Sequence, residues 1–179
     1  MLRHVDGELV FLASMLYYNN MTFLDPHHDH AHCTADLIAR AERTCERRGS
    51  KLTGQRREIL SSVAQSHSAV GAYDIIERMA EHGPRPAPIT VYRALDFLLS
   101  HGLVHKIESR NAFVACSHSH EGKPAALLIC ETCGTVAELD AAETFSSLSH
   151  LASGHGFQPK IIIAEIMGQC GSCLAHSPS

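Results

Sequence analysis

The sequence lacks any hydrophobic run long enough to cross a membrane, for which ~18 consecutive apolar residues are needed. The nearest approach is the ten-residue stretch Leu9–Tyr18. Acidic Asp6 and Glu8 beside a lone Arg3 make a poor start for a secretion signal, and no small-residue cleavage site follows. The alternative to a secretion signal is that residues 1–20 are an upstream extension, the start being either Met1 or Met21. The chain also lacks an overall basic charge, its formal net charge being −4. That deficit would argue against a nucleic-acid partner if it were uniform, and it is not. Residues 34–108 carry eleven Lys/Arg against nine Asp/Glu, including Arg40, Arg43, Arg47, Arg48, Lys51, Arg56 and Arg57, whereas residues 109–179 carry three against six. Phosphate affinity follows such local clusters rather than the total. An even cysteine count is absent too. Seven cysteines without a convincing secretion signal exclude a disulfide scaffold and point to thiols kept reduced in a cytoplasm. Zinc-enzyme signatures are missing as well: there is no H-E-x-x-H, and no H-x-E paired with P-C-x-x-C.

What is present divides into two halves. Thr34–Gly49 has the spacing of an amphipathic helix, with Leu37, Ile38, Ala41 and Cys45 on one stripe, Thr34 as its cap and Gly49 as its stop. Thr53 caps a second helix through Ser66. A third runs over Ala72–His82 with Tyr73, Ile75, Ile76 and Met79 apolar, and a fourth over Ile89–His101. Two β-prone runs, Leu103–Ile107 and Ala112–Cys116, follow around a polar four-residue turn. Helices followed by a hairpin predict a winged helix-turn-helix, whose last helix before the wing enters the major groove. Beyond the polar stretch Ser117–Pro124 the pattern becomes strand (Ala125–Cys130), strand (Thr135–Leu139), helix (Ala142–Ser153) and strand (Phe157–Ile166). The expected class is α+β. It comprises an extension over 1–33, a winged-helix domain over 34–116, a hinge over 117–124, a small α/β dimerisation domain over 125–174 and a tail over 175–179.

The sharpest chemical signal is Cys130-x-x-Cys133 paired with Cys170-x-x-Cys173. Two thiolates three positions apart can share one metal, and two such knuckles complete a closed tetrahedral Cys₄ zinc set. Redox use of the C-x-x-C pairs is the alternative, but neither pair sits at the strand-to-helix junction of a βαβ unit. A second, looser group of N, S and O donors comprises His105, Cys116, His118, His120 and Glu138, which suits zinc better than a hard cation. Drawn from both halves, it would fix the angle between them. Singly, any of these residues reads as an ordinary surface group. The tract His27, His28, His30, His32, Cys33 reads as disordered, with weak metal binding as the alternative.

The stretches Leu52–Leu60, Ala72–Ile76, Thr90–Leu95, Phe97–Leu99, Gly102–Glu108 and Cys130–Gly134 resemble the ferric uptake regulator family over about residues 34–174. Cys116 in the hinge, and Ala69 where iron-sensing members carry a histidine, make it similar to the zinc uptake regulator branch. The resemblance implies structural zinc on Cys130, Cys133, Cys170 and Cys173. It implies regulatory zinc on His105, Cys116, Glu138 and a hinge histidine, for which His120 is preferred and His118 is the alternative. It places Thr90, Tyr92 and Arg93 at DNA, with Gln55 and Arg56 in support. The implied molecule is a homodimeric, cytoplasmic, zinc-responsive repressor of zinc uptake genes. It carries one structural and at least one regulatory zinc per protomer, binds an inverted-repeat operator, contacts no membrane and is no enzyme. An iron- or manganese-responsive regulator, or a zinc buffer or chaperone, is the alternative.

Overall fold

A computed structural model describes residues 30–117 and 124–176, with side chains from residue 33 onward. Residues 1–29 of the expected extension, the hinge histidines His118 and His120 and residues 177–179 lie outside the described residues. Among the described residues, no helix is long and apolar enough to cross a membrane.

Helix α1 spans His30–Arg47 and so starts ahead of Thr34, which lies inside the helix rather than capping it. It buries Leu37, Ala41 and Cys45 at the expected spacing and stops two residues before Gly49, whose φ of +61° favours glycine. In α2, Gly54–Val63, the Thr53 hydroxyl accepts from the Arg56 amide and so satisfies one unpaired helix-start donor. This helix stops at Val63, short of Ser66. Helix α3, Ala72–Ala80, buries Ala72, Ile75 and Ile76. Apolar Tyr73 is 63% exposed, because one residue past Ala72 is a ~100° turn away from that stripe. Helix α4, Pro88–Ser100, has Pro88 at its first position, where a missing N–H costs nothing, and packs Val91, Ala94, Leu95 and Leu98 into the core. Together these faces form the main core with Val70, Leu103, Val104 and Phe113.

The wing follows: β2 (Val104–Ile107), a 3₁₀ turn (Glu108–Arg110) and β3 (Ala112–Ala115), with Asn111 in the left-handed region at φ +46° closing the turn. A two-residue strand, β1 (Val70–Gly71), pairs with Ala112 and Phe113, so the sheet has three strands, ordered β1-β3-β2. The C-terminal half contains β4 (Ala125–Cys130), β5 (Val136–Asp140), helix α5 (Ala142–Gly154), β6 (Glu165–Gly168) and a short helix α6 (Gly171–Ala175). Strand β4 is central, antiparallel to β5 and parallel to β6. The last strand thus begins at Glu165 instead of Phe157. Residues 157–164 lie outside any strand, with Ile161 78% exposed and Ile163 exposed. Ile162 and Ala164 pack on the opposite side, against Ala126, Ala141 and Phe145.

Period-two alternation gives β4 two loyalties. Ala126 faces α5, whereas Leu127 and Ile129 face the other way and join Val136 of β5 with Ile107 and Val114 of the wing. The wing and the C-terminal sheet therefore share a small apolar core of their own. Its margin is sewn by the Val136 amide donating to the His67 carbonyl at 2.9 Å and by a bridge between Ser68 and Thr135.

Candidate metal centres

The same alternation delivers the chemistry. In the wing, His105 stands opposite Val114 and two residues before Ile107, while Cys116 is two residues after Val114. All four belong to the face that meets the C-terminal sheet. In β5, Glu138 shares the face of Val136. His105, Cys116 and Glu138 thus meet at one end of the interface, their ligand atoms all within 4.8 Å of one another. Glu138 Oε2 lies 3.5 Å from His105 Nε2 and 3.6 Å from Cys116 Sγ. Tetrahedral zinc with its usual bond lengths has N–O and S–O edges of about 3.4 and 3.6 Å, so the donor set fits that ion.

The surroundings hold the donors in place. The Ser117 amide and hydroxyl donate to Glu138 Oε1 at 2.7 and 3.2 Å, leaving Oε2 turned toward the cluster. The Arg40 guanidinium of α1 donates to the Cys116 carbonyl. Cys116 and Glu138 are buried, and His105 is partly so. Burial alone would lower the imidazole of His105, but its bonds to Cys116 and Glu138 outweigh that and raise it to about 10. A pocket that prefers a cation between a thiol and a carboxylate is chemically prepared for a metal ion.

Cys130, Cys133, Cys170 and Cys173 converge at the far end of the same sheet, with all four sulfurs within 4.8 Å of one another. Cys133 Sγ and Cys170 Sγ are 3.8 Å apart, matching the about 3.8 Å edge of a ZnS₄ tetrahedron with ~2.3 Å bonds. The Cys170 amide donates to Cys130 Sγ at 3.4 Å. Amides of Cys133 and Cys170 bring Cys130 down to about 6, and hydrogen bonding to Thr135 lowers Cys133. Cys173 is raised to about 12, chiefly by its contact with Cys170.

On the helical half, Tyr92 and Arg93 project outward from the N-terminal part of α4 while Val91 and Ala94 face the core, and Thr90 is half-buried. Gln55 is exposed on α2. Arg56 is occupied locally: its guanidinium lies 3.4 Å from the centre of the Phe97 ring and donates to the Lys51 carbonyl. Spacing and resemblance had singled out each of these residues, but not Glu165 of β6. Its carboxylate accepts from the wing-turn amides of Glu108 at 2.6 Å and Ser109 at 3.2 Å. A lone acid beside the apolar Ile161–Ile163 run carries no motif by which to find it.

A winged helical half joined to a small sheet domain, with one thiolate tetrad and one interdomain donor cluster, matches the ferric uptake regulator family over residues 47–166, and the chain belongs to that family. It is 40% identical over 143 residues to the zinc uptake regulation protein of Escherichia coli (strain K12), spanning 79% of this chain and 83% of that protein. Among solved structures it is similar to a zinc uptake regulator complexed with zinc and DNA, with a TM-score of 0.75 and 38% identity over 79% of this chain and 95% of that one. It is similar also to the crystal structure of holo XcZur, with a TM-score of 0.72 and 40% identity over 79% of this chain and 99% of that one.

Proposed function

We propose that the protein is a zinc-responsive transcriptional repressor of zinc uptake genes, a regulator rather than an enzyme. In this reading it works in the cytoplasm as a homodimer and binds an inverted-repeat operator when regulatory zinc is present. The observation that carries the reading is the cluster of His105 and Cys116 from the wing with Glu138 from the C-terminal sheet. A hinge histidine, His120 or else His118, completes the set. A metal bound there supplies a crosslink between the DNA-reading half and the half that dimerises. The thiolate among the donors favours zinc over iron or manganese.

The likeness to the zinc- and DNA-bound relative extends across both halves at once, which supports the docked arrangement as the DNA-competent one. Cys130, Cys133, Cys170 and Cys173 would hold the structural zinc, tying β4 to the chain beyond β6. For DNA, the Arg93 side chain is suited to a bidentate contact with guanine and Tyr92 to a phosphate or a thymine methyl, with Thr90, Gln55 and Arg56 in support. Exposed Leu148, Leu151, Ile161 and Ile163 offer the apolar surface that a second copy would cover. The test is retention of operator DNA measured against free zinc, with iron and manganese as competitors. Retention indifferent to zinc would overturn the reading.

A further inference from the structure

The metal cluster grips the wing at only one end. His105 lies near the start of β2 and Cys116 just beyond the end of β3, so both belong to the base of the hairpin. At the opposite end, the tip, the Glu165 carboxylate accepts the amides of Glu108 and Ser109. The sheet explains how one surface reaches both ends. Leu127 of β4 is paired with Glu138 on one side and with Glu165 on the other. Laterally paired residues point to the same face, so both carboxylates flank Leu127 on the wing side, on strands about 10 Å apart. Between their two grips lies the apolar contact of Ile107 and Val114 with Leu127, Ile129 and Val136.

We infer that Glu165 is a positioning residue, a metal-independent latch that holds the wing tip on the C-terminal sheet and so lowers the zinc concentration needed for DNA binding. This rests on the zinc-repressor reading. The turn is suited to the role, because its first amides have no partner within the 3₁₀ turn itself. A carboxylate accepting two of them makes charge-assisted bonds that no neutral side chain equals. Burial pushes Glu165 upward, but the Ser109 hydroxyl, both amides and the charge of Arg110 leave it below the ordinary carboxylate value, so it is ionised at neutral pH. Latch and metal both favour the docked wing. Each therefore strengthens the other, and losing the latch leaves more of the preference to the ion and the apolar contact.

The experiment uses the full-length protein and its Glu165→Ala and Glu165→Gln variants. Hydrogen exchange of the peptide containing Glu108 and Ser109 is followed without zinc, and operator binding is titrated with zinc. In Glu165→Ala, the wing-tip amides should exchange faster while α5 keeps its protection. The zinc midpoint should rise by about tenfold or more, the lower end of the scale for one charge-assisted bond, with operator affinity at saturating zinc retained. Glu165→Gln, which keeps an acceptor oxygen, should fall between the two. Unchanged wing-tip exchange or an unchanged midpoint in both variants would overturn the latch. So would a loss of saturating affinity with loss of the dimer in both, which would make Glu165 a folding residue only. DNA binding by the unaltered protein that ignores zinc would sink the repressor reading instead, and the exchange data would still decide the latch.

Discussion

Glu138 and Glu165 stand in one row across the C-terminal sheet, on either side of Leu127, and each engages a different end of the same wing. This row makes the interface between the halves specific. Its apolar middle supplies adhesion without direction, and the two carboxylates fix the angle. The consequences separate by site.

Cys116→Ser removes the soft donor while leaving the Ser117 and Arg40 contacts of the hinge available. The regulatory zinc affinity should fall by at least about tenfold, the scale seen even for residues that only support ligands. Stoichiometry should drop toward one zinc per protomer, held by the four remaining site cysteines. If operator binding at limiting zinc matches the unaltered protein, this cluster is not the sensor.

Zinc binding should strengthen as pH rises. His105 is raised to about 10, so throughout the neutral range the ring carries a proton that an incoming ion must displace. Each unit of decreasing pH below that value should weaken apparent affinity by about tenfold for one proton released. Competition titrations with a zinc chelator at several pH values give the slope. A flat profile would remove His105 from the ligand set.

Cys133→Ser breaks the tetrad. Because structural zinc binding and folding free energy are coupled, the C-terminal half should lose its metal and the chain should no longer dimerise. Thermal unfolding and sedimentation read this directly. A variant with unaltered melting temperature and dimer mass would show that the thiolates are not structural.

Arg93→Ala touches neither metal cluster. It should cost ~1–3 kcal/mol of operator affinity and relax base preference while zinc content stays constant. An equal loss on every sequence would make Arg93 a phosphate anchor instead.

Much of this was legible in the residues. The paired C-x-x-C motifs specify their own geometry, and Glu138 was reached as one of a looser group of donors and through the family resemblance. The wing strands were found to within a residue or so because Gly102 and the polar turn bracket them. Three features were hidden. Thr34 looks like a cap, yet the helix runs through it. Tyr73 looks like core by composition, but lies off the stripe set by Ala72, Ile75 and Ile76. Glu165 was read as the end of an apolar strand because hydrophobicity marks Ile161–Ile163. The pairing that matters starts where that run ends, and a register across strands is invisible in one chain read linearly.

That register has an origin. Cys130 at the end of β4 pairs with Gly168 at the end of β6, and two residues later the Cys170 amide reaches back to the Cys130 sulfur. The thiolate tetrad is therefore the zero mark of a ruler laid along β6. Counted back three residues from Gly168, Glu165 comes level with Leu127 and turns toward the wing. A slip of one residue would turn it toward α5. The cysteines at one end of β6 thus keep time for a contact with the tip of the wing at the other end of the same strand.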